Sequence, residues 1–381
     1  MSVKLERIAI VGAGIGGIFT ALALLKKGYQ VTIFEKAGEQ REVNSGLVIW
    51  PNGSRVLKQL DLLDKVLSAG VVLKQMKVAN PSGKILNSAG LELYNTPCIG
   101  IERTVFFNVL KNQLPSGIIS TKRFSGYQNT NNEVIAFLED GGSAPYDFII
   151  GADGLYSKIR EQMIGDGRPN YKGYTMWQGE VSYTHQDIDP TALLEIMGSG
   201  KRFGIIPMHN GKLGWWATYN ETLKSYQHMD GRKKKLVNMF RSFEGPYSQI
   251  IGATIEEEIS KTPIYDREFI AKWHDGKVLM IGDAAHPMTP NKGQAACLMM
   301  EDAYLLAHLL SSSDNLESAL AAFELERIPR TLAIANESLR HGQAGQNENK
   351  WFVMFRNYFI KSMSSKKIHQ LHDEMFSYSI N

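Results

Sequence analysis

A short apolar run at Ile8 to Val11 and a largely apolar one at Val31 to Phe34 flank a segment, Phe19 to Leu25, whose apolar positions recur with helical spacing. Such runs belong to strands covered on both faces, so the N-terminus reads as a parallel βαβ unit. Asn52 to Leu67 and Arg103 to Leu114 carry helical periodicity, the latter through Val105, Phe106, Val109 and Leu110, and Val71 to Val78 reads as a strand. Asp147 to Ile150 and Lys277 to Ile281 repeat the signature of a buried strand. Between them the pattern changes. Tyr174 to Tyr183 and Arg202 to Tyr219 are rich in aromatic residues and alternate, with His209-Asn-Gly211 as a hairpin-like turn, which predicts an antiparallel sheet forming its own lobe. Arg232 to Phe243 is helical again, and a long helical region begins at Gln294.

The parallel unit is therefore interrupted. The pattern predicts an α/β (α+β) chain with a discontinuous Rossmann-like domain over 1–72, 98–172 and 266–340, an inserted antiparallel-sheet domain over 73–97 and 173–265, and C-terminal bridging helices over 341–381. A chain of 381 residues that is 43% hydrophobic has ample material for such a core. Its 42 basic and 39 acidic side chains leave a net charge of +3, too balanced for a dedicated nucleic-acid binder, so a small molecule is the expected partner. Cys98 and Cys297 match no zinc or redox spacing, and no metal site is expected. No export signal opens the chain and no apolar run approaches the roughly 20 residues that span a bilayer, so a cytoplasmic protein without integral membrane contact is expected.

The chemistry starts at Gly12-Ala-Gly-Ile-Gly-Gly17. Gly12, Gly14 and Gly17 supply a tight turn, close backbone approach to a pyrophosphate and close helix packing, with Ile15 and Gly16 between them. Glu35, followed by Lys36, ends the next strand where an acid accepts from a ribose hydroxyl. A lone triplet of this kind is a weak signal, but here it follows a strand and precedes a helix. It predicts an adenine dinucleotide, and NAD and FAD both fit.

Two later segments bear on that choice: Tyr146 to Arg160, containing Gly151-Ala-Asp-Gly154, and Gly276 to Gln294, containing Gly282-Asp-Ala-Ala-His-Pro287. With the first fingerprint they resemble the three signatures of the single-component FAD-dependent aromatic hydroxylases, the class A flavoprotein monooxygenases. The resemblance runs from about residue 5 to about residue 345 and includes Ile101-Glu-Arg103. Trp50-Pro-Asn-Gly53 and Gly200-Lys-Arg202 are similar to the branch that holds urate, hydroxybenzoate and salicylate hydroxylases and zeaxanthin epoxidase. It implies that Gly12, Gly14, Gly17 and Glu35 hold the ADP half of FAD, that Arg103 lies near the pyrophosphate or ribityl chain, and that Gly282 and Asp283 meet the ribityl chain. Asp153 and Gly154 would serve both FAD and the nicotinamide cofactor, and Leu47, Val48 and Pro290 would wall the flavin. Gly293 and Gln294 open a helix whose N–H groups would face the flavin N1–C2 edge and stabilise a reduced, anionic ring; Ala295 stands where the family commonly has glycine.

Plainer readings stand beside these. Asp153 also fits the N-cap of a helix over Leu155 to Met163, Asp283 a loop-capping acid, Arg103 a surface residue of a first helical turn, and His286 a structural imidazole.

On the substrate side, Trp177, Arg202, Phe203, Ile205, Met208 and Trp215 form the expected pocket for a planar aromatic or polycyclic molecule; of the neighbours Trp215 and Trp216 only one can face it. The resemblance to urate hydroxylases gives Arg202 as substrate anchor, against the alternative of a structural salt bridge, while Gly214 stands where their tyrosine is expected. The implied reaction consumes NADH or NADPH and O2, passes through a flavin C4a-hydroperoxide and inserts one oxygen atom. Oxygenation of a tetracycline-like antibiotic or epoxidation of an isoprenoid on the same fold is the alternative, and a plain nicotinamide dehydrogenase or a non-catalytic carrier are readings of other classes. A monomer or homodimer is expected. Lys350 to Lys361, apolar on one face, is read as a helix packed against both lobes, with a membrane-surface or dimer contact as alternatives.

Overall fold

The computed structural model describes residues 3–36, 45–223 and 231–380. Its first sheet has six strands in the order His274–Asp275, Val278–Met280, Phe148–Gly151, Ile8–Val11, Val31–Phe34 and Ile119–Ser120. Ile8–Val11 runs parallel to both neighbours, with Val11 opposite Gly151 on one side and Phe34 on the other. The chain leaves this central strand in one direction and returns on the other side, which makes its C-terminal end the topological switch point where such sheets bind ligands.

Helix Ile15–Lys26 and helix Ala295–Ser312 cover this sheet and bury continuous apolar surface. The expected helix over Asn52 to Leu67 is broken into Pro51–Gln59 and Leu63–Leu67, because Asp61 adopts φ 57°. A residue in the left-handed region ends a helix, and Leu62 N–H caps back onto Leu57 O. The expected strand over Val71 to Val78 is likewise two strands in two sheets. Val71–Leu73 pairs with Cys98–Glu102, whereas Gln75–Ala79 joins the large sheet, where it runs parallel to Ala192–Met197 in an otherwise antiparallel order, so the chain changes sheet at Lys74.

That large sheet has seven strands: Ser260–Asp266, Asn170–Ser182, Lys212–Asn220, Lys201–Pro207, Ala192–Met197, Gln75–Ala79 and Ile85–Gly90. One face packs on helices Arg232–Phe240 and Tyr247–Ala253 and forms a second apolar core. The opposite face looks toward the first domain. The gap between them is the site.

The C-terminal region is three helices, Leu316–Gly345, Lys350–Ser362 and Ser365–Phe376. Arg356, buried, fixes the middle one by donating to Ala344 O, Met197 O and Gly198 O. Phe376 stacks on Trp50 at 4.8 Å, so the last helix touches the nucleotide-binding side as well. The aromatic face of Lys350–Ser362 is not packed against either lobe: Trp351, Phe355 and Tyr358 are 70%, 64% and 72% exposed.

Candidate functional site

The fingerprint turn is built as its glycines require. Gly12 has φ +101°, and a Cβ there would lie 2.5 Å from Ala152 O. A Cβ on Gly17 would lie 1.8 Å from Gly12 O, whereas one on Gly14 would meet nothing within 4 Å. Two glycines thus allow the backbone to close on itself, and the third leaves the start of helix Ile15–Lys26 open. That helix has no side-chain cap, so its first N–H groups are offered to an anion. Glu35 Oε2 accepts from Ala13 N–H at 2.8 Å, which brings its carboxylate to the turn. Lys36 is exposed and borders the end of the described stretch.

The other two motifs converge on the same strand ends. Ala152 to Gly154 follow the strand next to Ile8–Val11, with Ala152 and Asp153 against Gly12. Asp153 Oδ2 accepts from Lys158 and Ile159 N–H at 2.7 and 3.3 Å, so it caps the helix Lys158–Met163 together with Ser157. Its Oδ1 is buried without a partner, and burial pushes the carboxyl up against those hydrogen bonds. Gly16 and Gly282 both approach Met299 of helix Ala295–Ser312, at 3.0 and 2.9 Å from an added Cβ.

Asp283 is exposed to solvent, and the surrounding protein raises its carboxyl against the charges of His286 and Arg103. An accessible carboxyl that feels the charge of Arg103 fits a hydroxyl-bearing ligand lying in the crevice. His286 is committed elsewhere: its Nε2 lies 2.6 Å from Asp302 Oδ2, and Asp302 also accepts from Gly282 N–H and Arg327. Burial works against the Asp302 carboxylate, but His286 and Arg327 outweigh it and hold it down at about 2.

Beyond Asp283 opens a cavity of about 270 Å³ between the two sheets. It brings together the expected flavin-side residues Leu47, Val48, Arg103, Pro290, Gly293 and Ala295, and faces them with Arg202. Gln294 is buried at the start of helix Ala295–Ser312 without facing the cavity.

Most of the expected substrate residues lie elsewhere. Trp177, Phe203, Ile205 and Trp215 point to the opposite face of the seven-stranded sheet, into the second core, where Phe203 stacks on Trp215 at 5.9 Å and Trp215 Nε1–H donates to Thr254. Met208 is buried against the strand at Gly214 and does not line the cavity. The cavity wall is formed by the alternate residues Met176, Gln178, Ile206 and Trp216, with Leu193 and Met76, which pair with each other. Strand parity is the reason: a face that includes Arg202 excludes Phe203 and Ile205. Gly204 makes room for the indole of Trp216, since a Cβ there would lie 2.1 Å from the ring. At Gly214 a Cβ would lie 2.6 Å from Gly46 Cα, so a tyrosine cannot occupy that position without separating two strands.

Arg202 is not a free anchor. It is 0% exposed, its guanidinium donates to Gln346 Oε1, Glu195 Oε1 and Asn291 Oδ1, and its face lies over Trp216 at 5.3 Å. Glu195 also binds His341 Nε2 at 2.9 Å. Burial opposes the Glu195 carboxylate, but His341 and Arg202 outweigh it and hold it at about 2, while burial lowers His341. These three hydrogen bonds tie Arg202 to the sheet, the turn Pro290–Lys292 and the C-terminal helix while it lines the cavity.

Residues not anticipated from sequence close the cavity: Asn291 and Lys292 from the turn before helix Ala295–Ser312, and His372, Met375 and Phe376 from the last helix. The C-terminal residues carry no motif, and only their place in the fold reveals them.

Residues 6–338 match the family model described as an FAD binding domain. The chain is 32% identical over 367 residues to an aurachin C monooxygenase/isomerase of Stigmatella aurantiaca, covering 95% of each protein. It is 30% identical to a chloroplastic zeaxanthin epoxidase of an Oncidium hybrid cultivar, over 86% of this chain and 53% of that relative, so it spans about half of that longer protein. Among solved structures, Klebsiella pneumoniae HpxO in complex with FAD and uric acid superposes with a TM-score of 0.91 at 22% identity, covering 98% of this chain and 97% of that one.

Proposed function

Because the chain belongs to the FAD binding domain family, within the flavoprotein monooxygenases, we propose that it inserts one oxygen atom from O2 into a planar aromatic or polycyclic small molecule, with NADH or NADPH as electron donor. The observation that carries this reading is the single cavity shared by the fingerprint side and the antiparallel sheet, apolar on most of its wall and closed at one end by a charged network. In this division of labour residues 1–72, 98–172 and 266–340 hold the cofactor, 73–97 and 173–265 the substrate, and 341–381 close the site.

The turn Gly12 to Gly17 with Glu35 would hold the ADP half of FAD, Asp283 and Arg103 its ribityl and pyrophosphate portion, and Leu47, Val48, Pro290 and Gly293 its ring. FAD bound there supplies electron transfer from nicotinamide to O2 and delivery of one oxygen atom. The start of helix Ala295–Ser312 offers backbone N–H groups to negative charge on the ring. Met176, Ile206 and Trp216 exclude water and seat the substrate's apolar plane, and Gln178 gives it a hydrogen-bonding edge. Arg202, Glu195 and His341 keep the wall and the turn Pro290–Lys292 in register. Asp153 and Gly154, at the mouth of the first domain, are the proposed contact for a transient nicotinamide.

A second reading, epoxidation of an isoprenoid on the same fold, is favoured by the likeness to zeaxanthin epoxidase. NAD(P)H oxidation by the flavin-loaded protein across phenolic acids, purines, quinolones, tetracyclines and isoprenoids, with H2O2 followed in parallel, separates the readings. A compound that accelerates oxidation while suppressing H2O2 release identifies the substrate class. Oxidation that no compound alters, with all electrons recovered as H2O2, refutes substrate oxygenation.

A further inference from the structure

Helix Lys350–Ser362 carries six large apolar side chains on its outer surface: Trp351, Phe352, Met354, Phe355, Tyr358 and Phe359, each 42% exposed or more. At 100° per residue, Trp351, Phe355 and Tyr358 form the centre of this face, and Met354 on one side and Phe352 and Phe359 on the other extend it. Isolated exposed apolar residues need no explanation, but a contiguous aromatic face on one rigid helix does. The helix is held firmly from behind by Arg356 and by Asn87 Nδ2, which donates to Ile360 O and Met363 O. Its outward face is therefore a fixed feature of the fold.

The surrounding charge identifies the occupant. From Lys350 to His372 the sequence has no Asp or Glu, and Lys350, Lys361, Lys366 and Lys367 are all exposed. Tryptophan and tyrosine mixed with phenylalanine, and lysines at the flanks, are the side chains that place a helix in the headgroup layer of an anionic bilayer. A second copy docked face to face would set these lysines against their own equivalents, which favours lipid over a symmetric dimer. No helix among the described residues is long and apolar enough to cross a membrane, and this one has 13 residues, so it lies in the interface plane.

We propose that helix Lys350–Ser362 is a monotopic docking surface for an anionic phospholipid bilayer. The next helix in the chain, Ser365–Phe376, contributes His372, Met375 and Phe376 to the cavity wall, so the docking helix directly precedes an element of the site. This holds whichever compound the enzyme oxidises.

The test is sedimentation of the full-length, flavin-loaded protein with vesicles of phosphatidylcholine alone and of phosphatidylcholine mixed with phosphatidylglycerol. The protein is expected to sediment with the mixed vesicles, less so as salt is raised. The variant W351S/F355S/Y358S, altered only at exposed positions, should bind at least about tenfold more weakly while keeping its flavin. The variant K350Q/K361Q/K366Q/K367Q removes no buried group and should lose the preference for phosphatidylglycerol. Wild-type protein that stays in the supernatant with both vesicle types, or variants that sediment like wild type, would overturn the proposal. So would a wild-type dimer that the aromatic triple variant converts to monomer without altering vesicle binding, which would assign the face to a second copy.

Discussion

Arg202 of the seven-stranded sheet donates to Asn291 of the turn Pro290–Lys292, and this hydrogen bond spans the two halves of the cavity. Asn291 in turn donates to Tyr174 and to Ser338 O, so sheet, turn and long C-terminal helix meet at one amide. Removing the guanidinium leaves the Glu195 carboxylate buried beside fewer donors. Arg202→Gln should lower stability by about 3 kcal/mol or more. Because Arg202 acts through Asn291, the double variant with Asn291→Ala should fall short of the sum of the single losses, in thermal unfolding and in the ratio of product to H2O2. Strict additivity, with only KM affected, would return Arg202 to the role of a free substrate anchor.

Trp215 and Trp216 are neighbours with opposite tasks. Trp215→Ala opens a hole in the second core and should cost about 3–5 kcal/mol of stability. Trp216→Ala enlarges the cavity and should raise KM or relax substrate choice with a much smaller stability loss. Thermal melts and steady-state kinetics on the two variants check this, and a reversed pattern would mean the wrong sheet face has been assigned to substrate.

How far the sequence reaches is visible in this pair. Sequence motifs correctly marked the parallel sheet and its fingerprint, because glycine in a strand–turn–helix context answers to backbone geometry that few residues satisfy. The substrate wall is less legible, because residue type alone makes Arg202, Phe203 and Ile205 all apt pocket residues, whereas a strand cannot show Arg202 and its odd-numbered neighbours to one side. Asp61 and Lys74 carry no local break signal, since both are single polar residues, one ending a helix by its φ and the other passing between sheets. His372 and Phe376 reach the cavity only through tertiary packing, which no local pattern encodes.

Gly12→Ala places a side chain at φ +101° and against Ala152 O, and Gly17→Ala drives one into Gly12 O. Both should yield protein with most of its flavin missing, measured as the ratio of visible to ultraviolet absorbance. Gly14→Ala, facing open space in the chain alone, should retain its fold and lose flavin affinity only. Full flavin content in the Gly12 and Gly17 variants would contradict the assigned turn.

His372 gives the C-terminal helix a pH dependence. Burial, aided by the charges of Lys292 and His369 and opposed by Asp373, lowers its imidazole from 6.5 to about 4. The unfolded chain takes up this proton near 6.5 and the folded chain only near 4, so the contribution is complete above 6.5 and is lost as pH falls toward 4. The loss amounts to at most about 3 kcal/mol. Melting temperature should therefore fall more steeply between these pH values in wild type than in His372→Leu. Parallel curves would mean His372 titrates normally in the folded chain.

The central claim is tested most directly by a single labelling experiment: turnover of the flavin-loaded protein under isotopically heavy O2 with the compound that best couples NAD(P)H oxidation, followed by mass spectrometry of the product. The account predicts a product that has gained one heavy oxygen atom, with nicotinamide consumed one for one. A product whose added oxygen comes from water, or one that has lost hydrogen without gaining oxygen, would contradict it and make the protein a flavin dehydrogenase or oxidase on the same fold.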